Sequence, residues 1–166
     1  MKQDLLSIYE LLKKQFGHRN WWPAETKDEI IIGAVLTQNV SWTIVAKAIE
    51  NLKGSNIYTL HDIELTSHNK ISRLIKSARF YNQKTDKLKN TAEFFKRNFN
   101  YDYDLIFKQD SWILRKQLLA VKGLGKETVD SILLYAGNKP IFVCDEYTAR
   151  ILTRLGISDS NWKYDD

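Results

Sequence analysis

Apolar residues recur at three- and four-residue intervals along most of this 166-residue chain, and only two prolines and seven glycines interrupt them. That period turns an apolar stripe towards a core in an α-helix, whereas a strand needs a period of two. The pattern predicts an all-α protein. Leu5, Leu6, Tyr9 and Leu12 share one face of a first helix, which Gly17 ends. His18–Glu25 reads as a loop, and Thr26 with Glu29 as a capping box for a second helix to about Thr37. Ser41 caps a third helix, with Ile44, Val45, Ala48, Ile49 and Leu52 inward. Short helices follow near Thr59–Leu65 and Ser67–Ser77, then a longer one over Tyr81–Phe99. Asp110 caps the next, which carries Trp112, Ile113, Leu114, Leu118 and Leu119. Another ends at Gly137, before Lys139-Pro140, and a last helix runs from Asp145 to Leu155.

The formal net charge is +5, and a basic balance of this kind favours a polyanionic partner. No apolar run approaches the roughly 20 residues of a membrane span, and the first residues lack the apolar core of a signal peptide. No membrane association is expected. A single cysteine, Cys144, excludes an internal disulfide and a four-cysteine iron–sulfur cluster. His18, His61 and His68 have no metal-ligand spacing, so no metal site is expected. A reducing, cytoplasmic setting fits this usage.

The stretch 118–132, LLAVKGLGKETVDSI, reads as two short helices joined by the hairpin Val121-Lys122-Gly123-Leu124-Gly125. Glycines let backbone approach a ligand closely, and the N–H groups at the start of the second helix suit an anion such as phosphate. Lys122 and Lys126 frame the turn, and Thr128 is placed to offer a hydroxyl. The spacing also suits an ordinary αα-turn with glycines for steric reasons. Downstream, Asp145 opens a helix, where an aspartate can serve simply as N-cap.

The segment resembles the helix-hairpin-helix of the endonuclease III superfamily of DNA glycosylases, in which a hairpin of the L-P-G-V-G kind precedes a catalytic aspartate. Lys122 stands in the usual proline place, and Asp145 matches the aspartate. Val35-Leu36-Thr37-Gln38-Asn39 looks like the segment that ends in a DNA-inserting glutamine. Phe80-Tyr81-Asn82-Gln83-Lys84 resembles the F-Y-x-x-K-A segment, with Thr85 replacing the alanine. Trp21-Trp22-Pro23 followed by Gly33–Asn39 is most similar to the small 3-methyladenine DNA glycosylases without an iron–sulfur cluster.

The resemblance implies an endonuclease III-like fold of two helical lobes with the site between them. One lobe would be 22–119. The other would be 1–21 plus 120–166, with the hairpin at 118–136. Family members continue for several more helices beyond the place of Asp166, so either the chain is a truncated form or this lobe is reduced, and a truncated lobe would leave Ile151, Leu152 and Leu155 uncovered. The partner would be double-stranded DNA with a damaged base, and the protein nucleoid-associated. Asp145 would be catalytic, stabilising the positive charge that develops on the sugar. Gly123, Gly125, Lys122, Lys126, Thr128 and Lys84 would hold the DNA backbone. Gln38 and Asn39 would fill the vacated base position, with helix termination as the simpler role. Trp21 and Trp22 would hold the flipped base, unless they pack as a lid on the core. No cofactor is implied beyond a monovalent cation at the hairpin.

Glu127 departs from the pattern. Bifunctional members carry a lysine there that forms a Schiff base, and the separation 145 − 127 = 18 supports the alignment. A glutamate cannot form an imine. The expected activity is therefore a monofunctional glycosylase acting on an alkylated, 3-methyladenine-like base. A mismatch-type glycosylase or AP lyase of the same superfamily, and a truncated non-catalytic DNA-binding module, remain as alternatives.

Overall fold

The computed structural model describes residues 2–19, 21–158 and 164. Among them the chain is helical throughout, as its periodicity predicts. The elements are α1 (Lys2–Phe16), α2 (Lys27–Leu36), α3 (Trp42–Lys53), α4 (Leu60–Leu65), α5 (His68–Leu74), α6 (Tyr81–Phe99), α7 (Tyr103–Lys108), α8 (Ser111–Leu119), α9 (Lys126–Ser131) and α10 (Glu146–Arg154). A short 3₁₀ turn, Lys76–Ala78, follows α5, and α9 runs directly into a π-helical turn, Ile132–Ala136. No helix among the described residues is long and apolar enough to cross a membrane.

Contacts divide the chain into two units, Ala24–Val143 and Met1–Pro23 with Cys144–Asp166. The first is organised around α2, whose residues Ile31 to Leu36 are all buried. Helices α3, α6, α9 and the π turn pack on α2. They bring Val45, Ala48, Leu88, Phe95, Val129, Ile132 and Leu133 to it without solvent exposure. Burying one such side chain stabilises by about 1.5–3 kcal/mol. This packing explains why the boundary differs from the one expected after Leu119. The hairpin's second helix supplies a wall of the α2 core, so hairpin and α2 belong to one unit.

A buried ion pair braces the hairpin from behind. Arg115 of α8 donates from Nε to Asp130 Oδ1 at 2.7 Å and from Nη2 to Oδ2 at 3.0 Å. Asp130 is 2% exposed. The fork-to-fork geometry fixes α8 and α9 at one angle.

Several local expectations change. Thr26 does cap α2, accepting the Glu29 amide at 3.1 Å, but Glu29 reaches back to the Glu25 amide and to Lys53 instead of to Thr26. The reciprocal capping box lies at Thr59 and Asp62 of α4. Ser41 makes no side-chain cap bond to α3, and Trp112 and Ile113 face solvent. Helix α7, capped by Asp102, is too short to leave a clear period in the sequence. Gly137 is not left-handed; a Cβ there would lie 2.5 Å from Phe107 Cδ1, so close approach requires the glycine, and Asn138 takes the positive φ.

In the unit that holds both termini, the expected inner face of α1 is open: Leu5, Leu6, Tyr9 and Leu12 are exposed. Helix α10 buries no residue completely; Ile151 and Leu155 are exposed, and Leu152 is half-buried.

Replacing Asp130 with alanine takes the carboxylate partner from the largely buried Arg115 guanidinium. Urea unfolding should show a loss of about 3 kcal/mol. Removing the exposed Glu93 of the Arg97 pair should cost less than about 0.5 kcal/mol.

Candidate functional site

The hairpin turns its apolar residues in and its glycines and lysines out. Val121 and Leu124 are buried, while Lys122, Gly123, Gly125 and Lys126 are exposed. The Leu124 amide closes the turn on the Val121 carbonyl at 3.1 Å. The two glycines do different work. Gly123 has φ +100, a conformation that side chains rarely adopt. Gly125 has φ −92 and ψ 171, extended backbone open to any residue, and a Cβ there would meet nothing within 4 Å. Gly125 is also the N-cap of α9 and offers no side chain to cap it. Gly125 therefore leaves the start of α9 open at this point.

Gln38 meets the hairpin from the turn after α2. Its Nε2 donates to the Gly123 carbonyl at 3.2 Å and to Thr128 Oγ1 at 3.0 Å. Lys87 Nζ in turn donates to Gln38 Oε1. Asn39, next in the chain, is exposed and left-handed, with φ +58. Asn90 of α6 donates to the Lys122 carbonyl at 3.0 Å. Two hairpin carbonyls, those of Gly123 and Lys122, thus already accept from side chains of the protein.

Two residues expected on the DNA backbone face inward instead. Thr128 is 7% exposed, and its hydroxyl receives the Gln38 amide. Lys84 is 2% exposed, with Nζ donating to the Leu36 carbonyl at 2.8 Å and the Ala78 carbonyl at 2.6 Å. Leu36 ends α2, and its carbonyl is one of those a helix leaves without an internal partner. Burial lowers the Lys84 pKa to about 8, and the Lys87 charge acts in the same direction. The replacement of alanine by Thr85 is satisfied locally, since its hydroxyl donates to the Tyr81 carbonyl and meets Ser72 Oγ at 3.0 Å. Tyr81 lines an open cleft of about 570 Å³ with Arg73 and Lys76, not the core.

Several cations between Arg79 and Arg97 are held by partners within the protein. Lys89 donates to the Glu64 and Thr66 carbonyls, Lys96 pairs with Glu64, and Arg97 pairs with Glu93. Sequence reasoning missed the inward lysines because an amphipathic stem and a charged head look the same in a string whether they point in or out.

In the other unit, Asp145 is the N-cap of α10. Its Oδ1 accepts the Thr148 amide at 2.8 Å and the Thr148 hydroxyl at 2.9 Å. Both bonds fall on one oxygen, so Oδ2 receives none among the described residues. Trp21 is 70% exposed and Trp22 half-buried. Glu127 is exposed in the first turn of α9, where its charge suits the helix dipole.

An all-helical fold with a glycine hairpin between two helices and a helix-capping aspartate downstream defines the helix-hairpin-helix glycosylase class. A family model described as HhH-GPD superfamily base excision DNA repair protein matches residues 32–166, and the chain belongs to that superfamily. It is 44% identical over 163 residues to a protein of Methanocaldococcus jannaschii that carries the name DNA repair glycosylase, covering 98% of this chain and 74% of that one. It is 31% identical over 137 residues to endonuclease III of Sulfolobus acidocaldarius, covering 82% of this chain and 59% of the relative. Among solved structures, the H. pylori 3-methyladenine DNA glycosylase bound to 1,N6-ethenoadenine aligns with a TM-score of 0.81 and 33% identity, over 98% of this chain and 74% of that one. An endonuclease III–DNA complex aligns with a TM-score of 0.81 at 19% identity, over 99% of this chain and 73% of that chain, a likeness of fold.

Two measurements check these assignments. Gly125→Ala should leave stability within about 0.5 kcal/mol, since its backbone is ordinary, yet weaken duplex binding in a fluorescence titration; Gly123→Ala should lose about 1 kcal/mol of stability from strain. For Lys84, the unfolded state holds its proton to near pH 10.5 while the folded state releases it near pH 8. Between these values the unfolded chain binds more protons, so this lysine's contribution to stability rises with pH. The difference in urea stability between wild type and Lys84→Met should therefore shift in favour of wild type from pH 7.5 to pH 9.5.

Proposed function

We propose that this protein is a monofunctional DNA glycosylase that hydrolyses the bond between deoxyribose and an alkylated purine of the 3-methyladenine kind. The observation that carries the reading is Asp145, whose carboxylate is held by one oxygen as a helix cap and keeps the other unbonded among the described residues.

In this reading the exposed face of the hairpin grips the backbone of the damaged strand through Lys122, Gly123, Gly125 and Lys126. The glycosidic bond breaks with its electron pair leaving on the base, and the sugar acquires oxocarbenium character. Asp145 Oδ2 faces that charge and can accept a proton from the water that adds at C1′. The cap on Oδ1 keeps the group oriented, so little reorganisation is needed when charge develops. An N-alkylated purine is already cationic, which weakens the bond to be broken and attracts the electron-rich face of Trp21 or Trp22. The 33% identity to a 3-methyladenine glycosylase supports this substrate class. Gln38, with Asn39 beside it, fills the position the base vacates.

Glu127 supports hydrolysis without strand cleavage, because a carboxylate cannot form the imine that strand cleavage by a lyase requires. The likeness to an endonuclease III supports the second reading, a lyase that recruits another amine. Lys122 or Lys126 would be the candidates.

Duplex treated with a methylating agent should release free methylpurines and acquire abasic sites, with no borohydride-trapped adduct. Asp145→Asn keeps a capping oxygen, so it should fold with an unchanged melting temperature and lose at least about 100-fold in single-turnover rate. Wild-type turnover by that variant would remove Asp145 from the chemistry, and a trapped adduct would favour the lyase.

A further inference from the structure

Gln38 is the residue proposed to fill the vacated base position, yet its amide is fully engaged within the protein. Nε2 donates to the Gly123 carbonyl and to Thr128 Oγ1, and Oε1 accepts from the Lys87 ammonium. These partners permit only one amide orientation. Turning the amide over would set Nε2 against the Lys87 cation and Oε1 against the Gly123 carbonyl. Lys87 and the Gly123 carbonyl together fix which way Gln38 faces, and Lys87 is the partner of its oxygen.

Lys87 is half-buried, and its stem runs beneath the hairpin: a Cβ on Gly123 would lie 2.4 Å from Lys87 Cγ. It stands three residues after Lys84, on a neighbouring position of α6. Lys84 holds the Leu36 carbonyl at the entrance to the turn, and Lys87 holds the Gln38 amide inside it. One helix thus grips the turn at two points, while Asn90 of the same helix holds the hairpin at Lys122.

We propose that Lys87 is a positioning residue that acts through Gln38, fixing the turn Thr37–Val40 to the hairpin so that the two DNA-facing loops move as one. The inference rests on the reading of Gln38 as the vacancy-filling residue. Ordering a long, rotamer-rich side chain in advance removes a cost that would otherwise be met on binding, about two- to tenfold in affinity. That advantage applies only where Gln38 has a vacancy to fill. Lys87 should therefore affect the preference for a duplex with a missing base over an intact one, not affinity for DNA in general.

The test uses a double-mutant cycle on the full chain. Two duplexes, identical except for one tetrahydrofuran abasic analogue, are titrated by fluorescence anisotropy against wild type, Lys87→Met, Gln38→Ala and the double variant. Methionine keeps the stem beneath Gly123 and removes the ammonium. Gln38→Ala is expected to lower the preference for the abasic duplex about two- to tenfold. Lys87→Met should lower it by a similar factor, and the double variant no further. No excision is required, so the result does not depend on which base is released. An unchanged preference in Gln38→Ala would sink the vacancy-filling reading and this inference with it. If Gln38→Ala responds while Lys87→Met leaves the preference intact, weakens both duplexes equally, or adds fully to Gln38→Ala, the inference alone falls. An NMR measurement on the free protein stands apart from DNA: the Gln38 side-chain amide protons should be protected from exchange in wild type and lose protection in Lys87→Met. Unaltered protection would show that Lys87 does not hold the amide, and would overturn the inference.

Discussion

A lysine ammonium inside the central unit holds the end of its most buried helix. Leu36 is fully buried, and Lys84 donates to its carbonyl and to that of Ala78 from a position that is itself 2% exposed. An unpaired carbonyl there would cost about 1–3 kcal/mol, and a buried cation without acceptors would cost more. Each group therefore answers the other's need. The contact also joins the end of α2 to the residue before Arg79 and Phe80, two positions with φ of +48 and +43. Strained backbone persists only where its surroundings over-determine it, and the Lys84 bond to Ala78 is part of that surrounding.

From this anchor the hairpin's geometry follows in steps. Helix α2 is fixed, α9 and the π turn pack on it, and Arg115 with Asp130 sets α8 against α9. Helix α6 runs beneath the turn and supplies Lys87 and Asn90. The exposed glycines are then presented by four helices instead of by a free loop. A binding surface built in this way is rigid before the ligand arrives, which lowers the ordering cost of association. Asp145 uses the same economy of means: one carboxylate both caps a helix and retains an unbonded oxygen.

Most of the architecture was legible in the sequence because helices with an apolar stripe announce themselves by period. The hairpin, the cap at Asp145 and the departure at Glu127 were legible because glycine, aspartate and glutamate have few conformational or chemical substitutes at those places. The failures share one cause. Lys84 and Thr128 each carry a polar group whose partner lies from 6 to 90 residues away, and no local pattern reports which side chain meets which group. The unit boundary failed for a related reason: the sequence orders α9 after the hairpin, but packing assigns it to α2. Helix α7 is too short for periodicity, and Gly137 answers to the closeness of Phe107, which no local pattern reports.

The interior lysines alter how the chain's charge reaches a polyanion. Each phosphate neutralised on DNA releases close to one condensed counterion, and this release governs how steeply affinity falls with salt. Lys84 and Lys89 are committed to carbonyl oxygens and Lys87 to an amide, so they contribute long-range field but no direct phosphate neutralisation in this arrangement. In the proposed reading the ions released on binding come from exposed cations such as Lys122 and Lys126, and these three of the 25 lysines and arginines add none. Affinity for DNA would then fall less steeply with salt than the count of basic residues alone implies.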